Sequence, residues 1–218
     1  MPYLFAEVFK LCYYWYNIHK NIYRRGIVKK VLLLLAEGFE EVEALTTVDY
    51  LRRMDIIVDT CSIKGGKRVQ GAHRIVAEAD RELHEIDNMK NYDGIIIPGG
   101  MPGATNLRDN DKVIQLIKEF NEEKKLIGAI CAGPIVLQRA GILNEKEVTS
   151  YPGFDNDLKE SIYKEDLVVQ DKNIITARGP AVAVYFALSL VENLVGEKKV
   201  DELKRDILLD MVEESLSK

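Results

Sequence analysis

Histidine is scarce in this 218-residue chain: only His19, His73 and His84 occur. None pairs with a cysteine at zinc-ligand spacing, so a zinc-finger type of centre is excluded and no metal is expected. Cysteine is scarce too, with Cys12, Cys61 and Cys131 alone. Three cysteines, an odd number without framework spacing, do not make a disulfide scaffold and point to a reducing, cytoplasmic setting. No apolar run is long enough to span a bilayer; the one near the start is broken by Glu7 and Lys10. Basic residues are not in surplus, since the net charge is −5, so nucleic acid is not an expected partner. A phosphate-binding loop of the Walker or dinucleotide type is also missing, and no cofactor is expected.

What is present is a globular composition, 47% hydrophobic and 30% charged. Its length suits one large domain with extras, domains commonly running to roughly 100–200 residues. Residues 1–28 differ from the rest. They carry Lys10, Lys20, Arg24 and Arg25 against one acid, Glu7, a net of +3; the remainder holds 26 basic and 34 acidic residues, a net of −8. They also hold five of the ten tyrosines and the single tryptophan, Trp15. Three readings stay open for this extension: a helix packing on the domain or a partner, a membrane-surface anchor, or sequence upstream of the true start. A spanning helix is not among them, and membrane association is the least favoured. The remaining chain divides into a main domain, 29–196, and a charged helix, 197–218, packing on it.

Strand and helix signals alternate along the main domain. Val31 to Ala36 is a continuous apolar run, as a strand buried on both faces requires. Glu40 to Met54 has helical spacing, with Val42, Leu45, Val48 and Leu51. Ile56 to Ile63 reads as a second strand containing Cys61 as a core residue. Arg68 to Glu78 reads as a short extended excursion. Asp93 to Ile97 is a buried strand stopped by Pro98-Gly-Gly100, and Asp111 to Glu123 is an amphipathic helix. Leu126 to Ile130 is another strand, Leu167 to Gln170 and Ile174 to Ala177 a hairpin, and Pro180 to Val195 a helix ended by Gly196. The pattern predicts an α/β fold with a mostly parallel sheet covered by helices on both faces. In such sheets ligands bind beyond the carboxyl ends of the strands. That rule places three motifs at one edge: Glu37 to Glu43, Pro98 to Gly100 and Ala132 to Pro134.

Cys131 is the centre of the third motif. The run Leu126-Ile-Gly-Ala-Ile-Cys-Ala-Gly-Pro134 puts a thiol on a tight strand-to-helix turn. A thiol at a helix N-terminus faces backbone N–H groups and the positive end of the dipole, so a stabilised thiolate is expected. Cys12 and Cys61 read as small hydrophobes instead. Gly99 and Gly100 supply backbone N–H groups with no side chain in the way, and with the amide of Ala132 they suit an oxyanion hole. Of Glu40, Glu41 and Glu43, two are ordinary first-turn acids. One must face the strand ends, and Glu43 is the candidate to share a proton with the thiol.

The strings Ala36-Glu-Gly-Phe-Glu-Glu-Val-Glu43, Ile97-Pro-Gly-Gly100, Ala129-Ile-Cys-Ala-Gly-Pro134 and Ala177-Arg-Gly-Pro180 resemble the ThiJ/PfpI superfamily, closest to its deglycase (DJ-one) branch. The resemblance runs in order from about Lys29 to Val195. It implies a flavodoxin-like three-layer sandwich, a homodimer and a reactive cysteine on a nucleophile elbow. By position, Cys131 matches the nucleophile, Glu43 its acid, and Gly100 and Ala132 the backbone donors. Arg53 matches a residue near the dimer interface, and Arg178, Gly179 and Pro180 the segment beside the pocket. Two departures stand out. Tyr151 replaces a histidine that many relatives carry before Pro152, and tyrosine is a poor base near neutral pH. Ala132 takes the place of the histidine that follows the cysteine in the protease-like branch.

The resemblance implies a cofactor-independent enzyme acting on small dicarbonyls or glycated adducts, converting methylglyoxal to lactate. The same thiol and acid also suit a redox sensor or protective chaperone of oxidative stress, in which Cys131 is oxidised. These two stay open. A cysteine peptidase or amidase ranks below both, because no histidine stands near a recognised motif.

Overall fold

The computed structural model describes residues 28–86 and 89–217. Residues 1–27 of the extension, with Cys12 and the three readings attached to it, lie outside the described residues. The core begins with β1 (Lys30–Leu35), α1 (Glu41–Arg53) and β2 (Ile57–Ser62). The hairpin β3 (Arg68–Gln70) and β4 (Val76–Glu78), the short β5 (Arg81–Glu82) and β6 (Gly94–Ile97) follow. Then come α2 (Gly103–Arg108), α3 (Asp111–Glu122), β7 (Leu126–Ile130) and α4 (Pro134–Arg139). The chain finishes with β8 (Glu147–Val148), β9 (Ile162–Tyr163), β10 (Val168–Asp171), β11 (Ile174–Ala177), α5 (Ala183–Val195), α6 (Glu197–Asp206) and α7 (Leu209–Leu216).

Seven strands form the main sheet in the order β10-β11-β7-β6-β1-β2-β5. All neighbours in it pair in parallel except the hairpin β10–β11. The continuous apolar run of β1 is explained by its two faces. Val31, Leu33 and Leu35 pack with α1 and α5, whereas Leu32 and Leu34 pack with Ile117, Phe120 and Leu137 on the other side. All five of these β1 residues are buried, so neither face has room for a polar group. The result is a three-layer flavodoxin-like sandwich. Helix α3 starts where Asn110 Oδ1 accepts from the N–H groups of Lys112 and Val113, a side-chain cap on two otherwise unpaired donors.

The order reverses at β1, whose chain continues to β2 on one side and returns to β6 on the other. This switch point opens a crevice between the loops after β1 and β6, with the loop after β7 alongside. The C-terminal region departs from the single helix expected there. Leu208 takes φ +59, and the chain breaks into α6 and α7 at that residue. Helix α6 is anchored by Leu203, which is fully buried.

Candidate active site

Strand β7 delivers Cys131 to the crevice. The chain turns at the sulfur, since Cys131 has φ +62, in the left-handed region that residues with a Cβ avoid. Such a conformation costs on the order of 1–2 kcal/mol and persists only where neighbours over-determine it. They do so here: Cys131 N–H donates to the Ala177 carbonyl at 2.8 Å, and Tyr151 N–H donates to the Cys131 carbonyl at 3.0 Å. Pro134 then opens α4 at a position where a missing N–H costs nothing.

Helix α1 delivers Glu43 from its first turn. The residue is fully buried, and its Oε2 accepts the Gly99 N–H at 2.8 Å. Oε1 is also buried and has no partner within normal hydrogen-bonding length; the other polar interaction of this carboxyl is with the Cys131 thiol. Burial pushes the Glu43 carboxyl up to about 7, against the opposing pull of Gly99 and Cys131. Burial also pushes the Cys131 thiol up to about 12, and the neighbouring Glu43 carboxylate adds to the rise. The amides of Ala132 and Gly100 interact with the sulfur and pull the other way, but do not prevail. The expectation of a simply acidified thiol is therefore corrected. Desolvation and a facing carboxylate outweigh the start of a six-residue helix. One proton is shared by the pair, and a thiolate is favoured only when Glu43 holds it.

The two glycines do different work. A Cβ on Gly99 would lie 2.7 Å from Cys131 Cβ, 2.8 Å from Glu43 Oε2 and 2.9 Å from Ala132 N, so only glycine fits between the two groups. Its N–H is taken by Glu43, which removes it from the expected set of oxyanion donors. Gly100 has φ +87, and a Cβ there would collide with Glu40 N and Gly38 O. Gly100 and Ala132 are left as the amides that face the sulfur.

Tyr151 stands at the rim, 48% exposed, and contributes through its backbone. With Pro152, Leu167, Arg178 and Pro180 it lines an open groove of about 240 Å³. Its ring packs over Gly179, where a Cβ would come within 3.1 Å of Tyr151 Cδ2. Arg53 is placed elsewhere: it bonds Asp49 and Asp206, each at 2.8 Å, and ties α1 to α6.

One neighbour of the first motif escapes the sequence pattern. His73, at the tip of the β3–β4 hairpin, places Nδ1 2.9 Å from Glu41 Oε2, and its N–H donates to Glu41 Oε1 at 2.7 Å. A histidine does therefore reach the first motif, though it bonds Glu41 and not Cys131. The pairing lowers the Glu41 carboxyl below its usual range despite burial, and raises His73 through the hydrogen bond to Glu41. Glu40, Glu41 and His73 have ligand atoms within 4.8 Å of one another, the only such set among the described residues. Both Glu41 oxygens are already engaged by His73 and Ile75, so the set acts as a clasp holding the hairpin.

A parallel α/β sandwich with a cysteine in the left-handed region after a central strand, paired to a buried glutamate, defines a nucleophile-elbow protein of flavodoxin-like architecture. The chain belongs to the DJ-1/PfpI family, whose model matches residues 29–193. It is 35% identical over 184 residues to Parkinson disease protein 7 homolog of Danio rerio, covering 83% of this chain and 97% of that one. It is 33% identical over 187 residues to the glutathione-independent glyoxalase DJ-1 of Schizosaccharomyces pombe, covering 82% and 97%. The crystal structure of Drosophila melanogaster DJ-1beta superposes with a TM-score of 0.80 at 35% identity, covering 84% of this chain and 98% of that one.

Proposed function

We propose that this chain is a glutathione-independent glyoxalase, taking methylglyoxal or glyoxal to lactate or glycolate without a cofactor. The observation that carries the reading is the buried Glu43–Cys131 pair, with one proton between two groups and the Gly100 and Ala132 amides at the sulfur. Cys131 thiolate adds to the aldehyde carbon, and Glu43 delivers its proton to the new oxygen, giving a hemithioacetal. The Glu43 carboxylate then removes the proton from that carbon and returns one to the adjacent carbonyl carbon. The proton on the hemithioacetal oxygen passes to the former ketone oxygen, and a thioester of the hydroxy acid results. Water hydrolyses it, freeing lactate and the thiol, so the overall change is addition of one water with no external oxidant. The Schizosaccharomyces pombe relative, named a glyoxalase, supports this assignment. A lactate assay without glutathione tests it. Cys131→Ala and Glu43→Gln should both lose turnover; wild-type turnover in both would overturn the mechanism.

The second reading, a redox sensor or protective chaperone, is favoured by one detail. A Glu43 carboxyl that stays protonated up to about pH 7 could donate to a Cys131 sulfinate. Peptide mass spectrometry after mild peroxide should then find oxidation concentrated on Cys131, and equal oxidation of Cys61 would count against it. The setting we infer is a reducing, cytoplasmic one. The chain would act as a homodimer, for which the exposed Val42 and Leu45 on α1, beside the buried Glu43, supply apolar surface. No helix among the described residues is long and apolar enough to cross a membrane.

A further inference from the structure

At the opposite end of β7 from Cys131, an open cleft of about 470 Å³ lies under the amino ends of the central strands. The two sites are separated by the length of a five-residue strand, roughly 16 Å at the usual rise. Five lysines line the cleft: Lys29, Lys90, Lys124, Lys125 and Lys172. They come from four segments of the chain, so helix periodicity does not explain their convergence. Asp93 is the single acid in the lining, in a chain whose net charge is −5.

Some of this charge is matched. Lys29 bonds Asp93 at 2.9 Å, and Lys125 pairs with Glu123 at 2.8 Å while donating to the Met89 carbonyl at 2.9 Å. Lys124 and Lys172 make no ion pair among the described residues. Both also hold left-handed backbone, with φ +54 and +57. Those are positions where glycine or asparagine would relieve the strain, yet each carries a long cation. A cation beyond a helix C-terminus is ordinary for Lys124, which follows α3. Lys172, in the β10–β11 turn, has no such helix behind it. The cleft wall also carries Asn173 and Asn193, while Tyr92 in its lining is almost fully buried. There is thus no exposed aromatic platform on which a base could stack.

We propose that this cleft binds a compact, multiply charged anion of the phosphorylated small-metabolite class, independently of the chemistry at Cys131. Converging cations repel one another in the empty cleft, and a polyanion removes that repulsion on binding. Lysine suits the task as a set of point charges around a phosphate group.

The probe is inorganic tripolyphosphate, titrated calorimetrically into the full chain at 150 mM salt. Saturable binding near one per chain is expected. Lys124→Glu and Lys172→Glu should each weaken it at least tenfold, while leaving lactate formation intact. Lys112→Glu, at the far end of α3, should leave binding within twofold, which separates a built site from general charge. The unliganded Lys172→Glu protein should melt no lower than wild type, since a like charge has been removed. No saturation by millimolar probe, or equal weakening by Lys112→Glu, would overturn the proposal. So would a Lys172→Glu protein that binds as wild type does.

Discussion

Glu43 and Cys131 are a single titrating unit. The carboxyl is fully buried, one of its oxygens is fixed by Gly99 N–H at 2.8 Å, and the thiol is the other polar group it meets. Burial raises both groups and the Glu43 carboxylate raises the thiol further, so the first proton leaves the pair near 7 and the second is held until about 12. Alkylation of Cys131 by iodoacetamide should therefore rise with pH in two steps. Glu43→Gln should collapse them to one step with a midpoint below 12, because the repelling charge is gone while the Ala132 and Gly100 amides remain. Superimposable profiles for the two proteins would refute the coupling.

The same carboxyl makes stability depend on pH. Its folded pKa, about 7, lies above the ordinary value of 4.5, so the folded state prefers the protonated form. That preference costs nothing below pH 4.5. It becomes a growing penalty as pH rises from 4.5 to 7, reaching about 3 kcal/mol. Wild type should lose stability across that window relative to Glu43→Gln, which keeps a neutral side chain throughout. Urea unfolding of both proteins at pH 5 and pH 7.5 measures it. A difference between them that does not grow with pH would show that Glu43 is not held protonated.

The parts of this fold that are written locally were legible in the sequence. The apolar runs Val31 to Ala36 and Leu126 to Ile130 announced central strands because both faces of each are buried. The strand-turn-helix grammar around Cys131 was legible because a turn, a proline at the helix start and an apolar approach are near neighbours. Glu43 was separable from Glu40 and Glu41 only by the argument that one acid must face the strand ends. Other features depend on tertiary contacts and left no local trace. His73 meets Glu41 across 32 positions. The Gly99 N–H is diverted to Glu43 by a helix 56 positions away. The break at Leu208 occurs at an ordinary apolar residue that carries no turn signal. The thiol's direction was misjudged for a related reason: helix polarity can be read from sequence, whereas desolvation by a folded interior cannot.

Gly99→Ala should damage the site directly, because the glycine sits between the two reacting groups. The added Cβ meets Cys131 Cβ, the buried and hydrogen-bonded Glu43 Oε2 and the Ala132 amide together. Overpacking of this kind typically costs about 1–3 kcal/mol. Because the displaced groups are the reacting pair, turnover should fall at least a hundredfold, well beyond the loss of stability. Gly66→Ala, in an exposed turn with open space around it, provides the comparison, its strain arising from φ +95 alone. Lactate formation and thermal melting of both variants decide the matter. Equal turnover in the two would remove Gly99 from the site.

Tyr151 precedes Pro152 at the rim, and its contribution here is its backbone N–H to the Cys131 carbonyl at 3.0 Å. The ring is 48% exposed and packs over Gly179, and its hydroxyl makes no hydrogen bond to the described residues. Tyr151→Phe keeps the ring and the backbone bond, so kcat should stay within twofold. Tyr151→Pro deletes the N–H and should cost far more, because the left-handed conformation of Cys131 then loses one of the two bonds that hold it. Tyr151→His distinguishes a positional role from a chemical one. If the site relies on Glu43 for proton transfer, the imidazole should leave the pH–rate profile governed by the group near 7 that Glu43→Gln abolishes. A new limb that survives in the Tyr151→His, Glu43→Gln double variant would assign proton transfer to the rim instead.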